Sequence, residues 1–320
     1  MSLRRTSIAV LAALAACVSL ADEAGAKERV YVLSQAGAAL SEIEDGAEKT
    51  AAPIPLDKAP AALVLSSDGA QAYVSHPDIG KVSIVDLGQR RVVSSLTVAG
   101  SPFGLAVAKD GRLFVGDWNG AHVSVIDTKG QAPPRTVDVG RAPAHLILTP
   151  DEKLLFIANR ESDSVSVVRT EDLSVAATIA VDRAPFAMAL SPDATRLYVG
   201  NVQGGTVSIV DTAGFKVTKT RVSGAMPYGA AVTGDGLRLV VTNQQASTVS
   251  VIEAKDAPPS VIKVGGYPEG VAINADGTRA YVANWFSDDV SVLDLESLKE
   301  IRRIKCPQGP RGIAISHHSP

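Results

Sequence analysis

Cysteine is nearly absent from this sequence. The chain carries two, Cys17 and Cys306, in 320 residues. A lone thiol closes no internal disulfide, so a chain that loses Cys17 with a leader must draw its stability from an apolar core. Aromatic residues make up only 4% of the chain, with two tryptophans, so the position of each ring carries information. A charge excess is also missing. The formal net charge of −3 provides no global field to draw the chain to nucleic acid or an anionic bilayer. After residue 26 no apolar run approaches the length of a bilayer span, and no helix-length periodic segment appears. Several chemistries are excluded by their motifs. The chain has no Cys-x-x-Cys-His for haem, no Gly-rich phosphate loop, no Gly-x-Ser-x-Gly elbow and no His-x-x-x-His or calcium-loop spacing. No cofactor and no metal are expected. A metal site from His76, Asp117 and His145, which fall in three consecutive repeats, is a minor alternative, because the sequence does not give their separation.

What is present begins with a leader. Arg4 and Arg5 precede an apolar stretch from Ile8 to Ala16, and Ala24-Gly25-Ala26 offers a small-x-small cleavage site. The expectation is a signal peptide over residues 1–26, cleaved after Ala26, and a periplasmic or extracellular domain over 27–320. Leu14-Ala15-Ala16-Cys17 also reads as a lipobox, which would instead make a lipoprotein anchored through Cys17.

The rest is a repeat. Prolines recur at Pro60, Pro102, Pro143, Pro185, Pro227, Pro268 and Pro310, always 41 or 42 residues apart. After each comes a small-residue apolar run, such as Gly104-Leu105-Ala106-Val107, then a turn such as Asp110-Gly111. Next come an aromatic-aliphatic strand ending in a polar residue, as in Tyr281-Val282-Ala283-Asn284, and an alternating strand, as in Val123-Ser124-Val125-Ile126-Asp127. A short fourth strand precedes the next proline. Four short strands per unit make one propeller blade. The first strand, apolar on both faces, suits the crowded axis, and the alternating third strand suits a place nearer the rim. Six full units run from Pro60 to Lys305. Three strands from Arg29 and a single strand at Arg311–Ile315 remain, and together they complete a seventh blade. The expected fold is an all-β, seven-bladed β-propeller whose C-terminal strand joins the N-terminal blade and closes the ring.

Tyr-Val-x-Asn, Val-Ser-Val-(Ile/Leu)-Asp and Pro-x-Gly-x-Ala together resemble the YVTN-repeat, YncE-like propeller family over residues 28–316. The resemblance implies an exported bacterial protein. Some such proteins are associated with quinoprotein-dependent oxidation, some are thought to bind nucleic acid, and propeller relatives include lactonases and lyases.

In a propeller, the loop entering the inner strand and the loop joining the second and third strands open on one face. Residues that break the repeat there are Phe103, His145, Phe186, Tyr228, Glu269 and Arg311 beside the prolines, and Trp118, Arg160 and Trp285 after the second strands. Lys58, Arg141 and Arg183 add positive charge. This aromatic and basic set suits an anionic or aromatic ligand, or a protein partner; its alternative role is to plug the channel. The four asparagines that end second strands (Asn159, Asn201, Asn243 and Asn284) are expected to bond their own turn backbone, with His76 and Asp117 in the same role. His145 is expected to point at the axis, and Glu269 and Arg311 to form an ion pair. The leading expectation is a non-catalytic, monomeric binding protein. A lactonase- or lyase-type enzyme using His145, Glu269 and Asp117 is the second reading. Single-stranded nucleic acid stacked on Phe186, Tyr228 and Trp285, with phosphates on Arg141, Arg160 and Arg183, is a weaker third.

Overall fold

A computed structural model describes residues 28–44, 46–253 and 257–316. The expected leader, Cys17, His317 and His318 lie outside these residues. The described chain folds into seven four-stranded antiparallel sheets. Six of them are continuous in sequence. The seventh pairs Arg29–Ser34 with Ala39–Glu44 on one side and with Pro310–Ser316 on the other. The C-terminal strand is thus the inner strand of the first blade, and the ring closes without an open edge at the seam.

The sheets stand face to face around the axis. Seven apolar clusters form, one between each pair of adjacent blades. Phe114 and Val123 of one blade, for example, pack with Leu155 and Ile157 of the next, and Phe156 and Val165 of that blade pack with Met188 and Val199 of its successor. Each fully buried Phe, Leu or Ile contributes about 1.5–3 kcal/mol, so the core is a closed series of apolar interfaces between blades. No helix among the described residues is long and apolar enough to cross a membrane.

The third strands differ from expectation. Their alternation is not a half-exposed rim pattern, because Ser83, Ser166, Ser208, Ser250 and Ser291 are buried. The last four of these serines face the asparagines that end the second strands. Asn201 Nδ2 donates to Thr206 Oγ1 at 3.1 Å and to Ser208 Oγ at 3.0 Å, and Asn159, Asn243 and Asn284 make the equivalent pairs of bonds. The asparagines therefore do not bond their own turn backbone in left-handed geometry; Asn159 and Asn243 have φ of −92° and −106°. They brace one strand to the next from the side chain. His76 takes this role in its blade, with Nε2 3.0 Å from Ser83 Oγ. Asp117 does behave as expected: its Oδ1 accepts the N–H groups of Ser101 at 2.8 Å and Asn119 at 3.2 Å.

Candidate functional site

A recurrent bulge builds the mouth of the channel. In six blades the pairing of the inner strand with its neighbour slips beside the repeat proline, dropping the next residue out of register. The dropped residues are Arg311, Ala144, Phe186, Tyr228, Glu269 and Phe103. A bulge re-aims the side chain it carries, and here it turns large side chains across the opening. Backbone strain accompanies the turn, since Ala59, Ala142, Ala184, Met226 and Tyr267, each just before its proline, have φ between 51° and 62°.

The rings meet. Phe103 and Phe186 are 5.9 Å apart between centroids, Phe186 and Tyr228 are 4.2 Å apart, and Trp118 lies 4.5 Å from Phe103. The Arg311 guanidinium sits over Phe103 at 5.6 Å and that of Arg160 over Trp118 at 5.7 Å, both within cation–π range. Four aromatic side chains and two guanidiniums thus form one partly exposed floor spanning the mouth. Arg160 also pairs with the neighbouring Glu161 carboxylate. All seven inner strands contribute to a cavity of about 170 Å³, lined by Phe103, His145, Phe186, Tyr228 and Arg311 among smaller residues. Larger grooves lie between blades, away from this mouth, and gather no comparable set of rings and buried charge.

A polar chain runs from two members of the floor, Arg311 and Tyr228, to the buried Glu269 and Gln244. Arg311 donates from Nη2 to the Tyr228 hydroxyl at 2.7 Å, and its Nε lies 3.4 Å from Glu269 Oε2. Gln244 donates from Nε2 to Glu269 Oε1 at 2.8 Å. The expected ion pair is present. Burial pushes the Glu269 carboxyl up from its ordinary value, opposed by Arg311, and pushes the Tyr228 hydroxyl up to about 12. The sequence did not single out Gln244; its only signal is its place directly after Asn243.

His145 lines the central cavity, as expected, but its ring is not free. At the equivalent glycines of two other repeats a Cβ would collide with the next inner strand: one added to Gly104 would come within 2.6 Å of the Ala144 carbonyl oxygen, and one added to Gly229 within 2.2 Å of the Glu269 carbonyl oxygen. The histidine ring instead bridges to the next blade, where its Nδ1 accepts the Met188 N–H at 2.9 Å. This bond fixes the neutral Nε2–H tautomer, and burial lowers the ring's pKa to about 4.

The remaining residues divide. Asp117 is held in its turn, and no carboxylate among the described residues lines the cavity beside His145. Trp285 belongs to a separate group, 4.9 Å from Phe286 and 6.4 Å from Tyr267. Arg141 and Arg183 are exposed and donate to the loop carbonyls of Glu161 and Gln203; Lys58 is exposed as well. No cluster of metal-ligating side chains is found among the described residues.

The fold has known counterparts. A chain of hydrazine synthase from Kuenenia stuttgartiensis is similar at 21% identity and a TM-score of 0.72, over 79% of this chain and 88% of that one. A functionally unknown protein from Desulfotomaculum acetoxidans is 15% identical with a TM-score of 0.79, over 91% of this chain and 99% of the other. A 6-phosphogluconolactonase candidate from Bacteroides fragilis is 15% identical with a TM-score of 0.76, over 91% and 98%. These likenesses show the propeller fold alone. No family model matches the chain, and no curated protein matches it.

Proposed function

We propose that this is an exported binding protein that takes a small anionic ligand with a planar face at the mouth of its channel. One observation carries the reading: the four-ring floor of Trp118, Phe103, Phe186 and Tyr228, with one guanidinium over Trp118 and another over Phe103. Rings accept a planar ligand face to face or edge on, and Arg160 and Arg311 provide the charge. The cavity volume of about 170 Å³ favours a small ligand over a folded partner, since one water occupies roughly 30 Å³ of liquid. The resemblance to YVTN-repeat propellers supports export and an accessory place in an oxidation pathway. The leader predicts a mature N-terminus at Lys27, against a lipidated Cys17, and mass spectrometry of exported protein tells the two apart.

The lactonase or lyase reading has less support. The B. fragilis counterpart is described as a lactonase candidate, but in this chain Asp117 caps a turn and Glu269 is paired with Arg311. Stacked nucleobases have less support again, because Trp285, one of the three expected platforms, stands apart from Phe186 and Tyr228 in a group with Tyr267 and Phe286.

Tryptophan fluorescence in a Trp285→Phe background reports on Trp118 alone. Titration with a panel of small carboxylates and phosphate esters is expected to quench it. Phe103→Ala and Arg160→Ala should each weaken the best ligand about tenfold, the loss of roughly one stacking or cation–π contact. Unchanged affinity in both variants would overturn the reading.

A further inference from the structure

The Arg311–Glu269–Gln244 chain contains an imbalance that the mouth alone does not explain. Glu269 Oε2 and Gln244 Oε1 are both buried and carry no hydrogen bond, while the 3.4 Å approach of Arg311 Nε to Glu269 is an ion pair without hydrogen-bond geometry. Buried acceptors left unbonded are costly. Arg311 lines the cavity, and Glu269 lies behind it.

We propose that the mouth takes its anion together with a proton: a small carboxylate binds Arg311 and a proton adds to Glu269. This deepens the binding reading above and rests on it. With the site empty, the buried cluster is neutral, one guanidinium against one carboxylate. An anion docked on Arg311 leaves two negative charges facing one positive charge in a poorly solvated pocket. Protonating Glu269 restores neutrality and lets the new anion hold the guanidinium. The Gln244 amide accommodates the change. A half-turn replaces Nε2 with Oε1 at the 2.8 Å contact, so the carbonyl accepts from the protonated carboxyl at no cost in shape. The proton comes from solvent and no covalent bond other than O–H is made.

The groups around Glu269 are few. Of the elements packed against its strand, Pro268–Ile273, the C-terminal strand brings Arg311, the strand Pro227–Val232 brings Tyr228, and the turn Gln244–Ala246 brings Gln244. Arg238 and Arg279 sit at the far ends of their strands; Arg238 donates to the Leu295 carbonyl. Burial raises the Glu269 carboxyl from its ordinary value, in the direction the step requires. Tyr228 stays protonated throughout, as burial raises it to about 12.

The test uses benzoate as the probe, followed by calorimetry in buffers of different ionisation enthalpy, which counts protons bound per ligand. For the wild-type protein, uptake approaching one proton is expected, and affinity should fall tenfold per pH unit between the pKa of Glu269 in the empty site and that in the occupied site. Glu269→Gln removes the titrating group. It should bind benzoate more tightly than wild type at about pH 8, with no proton uptake and a flat profile down to about pH 6. Benzoate binding without proton uptake by wild type overturns this inference and leaves the binding reading standing; that measurement needs no variant to fold. Absence of benzoate binding in both proteins removes the carboxylate site itself, and the inference with it.

Discussion

His145 should make the fold acid-sensitive in a way that one substitution removes. The ring lies between two inner strands with its Nδ1 accepting the Met188 N–H, and protonation would set two donors against each other. Burial holds its pKa at about 4, whereas the ring in an unfolded chain titrates near 6.5. Below about pH 6.5 the unfolded state therefore binds a proton that the folded state refuses. Stability falls with acidification from there and the loss is complete near the folded pKa. At about 1.4 kcal/mol per pH unit, the full loss is about 3 kcal/mol. The variant His145→Gln offers an acceptor to Met188 and cannot gain charge. Urea unfolding of both proteins from about pH 7.5 to about pH 4.5 should show wild type losing most of those 3 kcal/mol relative to the variant. Carboxylates and His76 titrate in both proteins, so the difference isolates His145. Parallel stability profiles would refute the reasoning.

Three further outcomes follow from packing and burial. Gly229→Ala places a methyl 2.2 Å from the Glu269 carbonyl oxygen and should cost about 1–3 kcal/mol through forced backbone movement, seen as a lower melting temperature. Asn201→Ala removes two bonds to the third strand of its blade and should cost about 1–2 kcal/mol in denaturant unfolding; a neutral result would mean that the serine and threonine find other partners. The Cys306 thiol is raised to about 12 by burial, so in a Cys17→Ser chain it should react with a disulfide reagent far more slowly than in urea, and equal rates would show that the thiol is open.

Much of the fold was legible because a proline every 41 or 42 residues marks each inner strand, and the incomplete units at the two ends add up to one blade. The candidate site was legible only in outline. Phe103, Phe186, Tyr228 and Arg311 could be placed at the mouth from their offset to the proline, and they do converge. What the offset does not contain is the slip in strand pairing beside the proline, which re-aims those side chains. Nor does it contain the bond that His145 accepts from Met188 of the next blade. Trp285 shares its offset with Trp118, but the ring facing it is Tyr267 rather than a phenylalanine on an inner strand, so it joins a different group. The asparagine braces were missed because a polar residue alternating with valine looks the same whether its side chain meets water or a buried amide.

Closure by the last strand has a consequence for how the molecule is made. Arg29–Ser34 pairs with Pro310–Ser316, so the first strands to be synthesised wait for nearly the whole chain before their open edge is covered. Until then that edge can pair with any other extended segment. Final assembly is thus a late event between distant parts of the chain, with the slow kinetics of long-range pairing. It also pairs Arg29 with Ser316, so joining the chain across that pair and cutting the ring at another blade boundary would give a circularly permuted protein with the same seven interfaces.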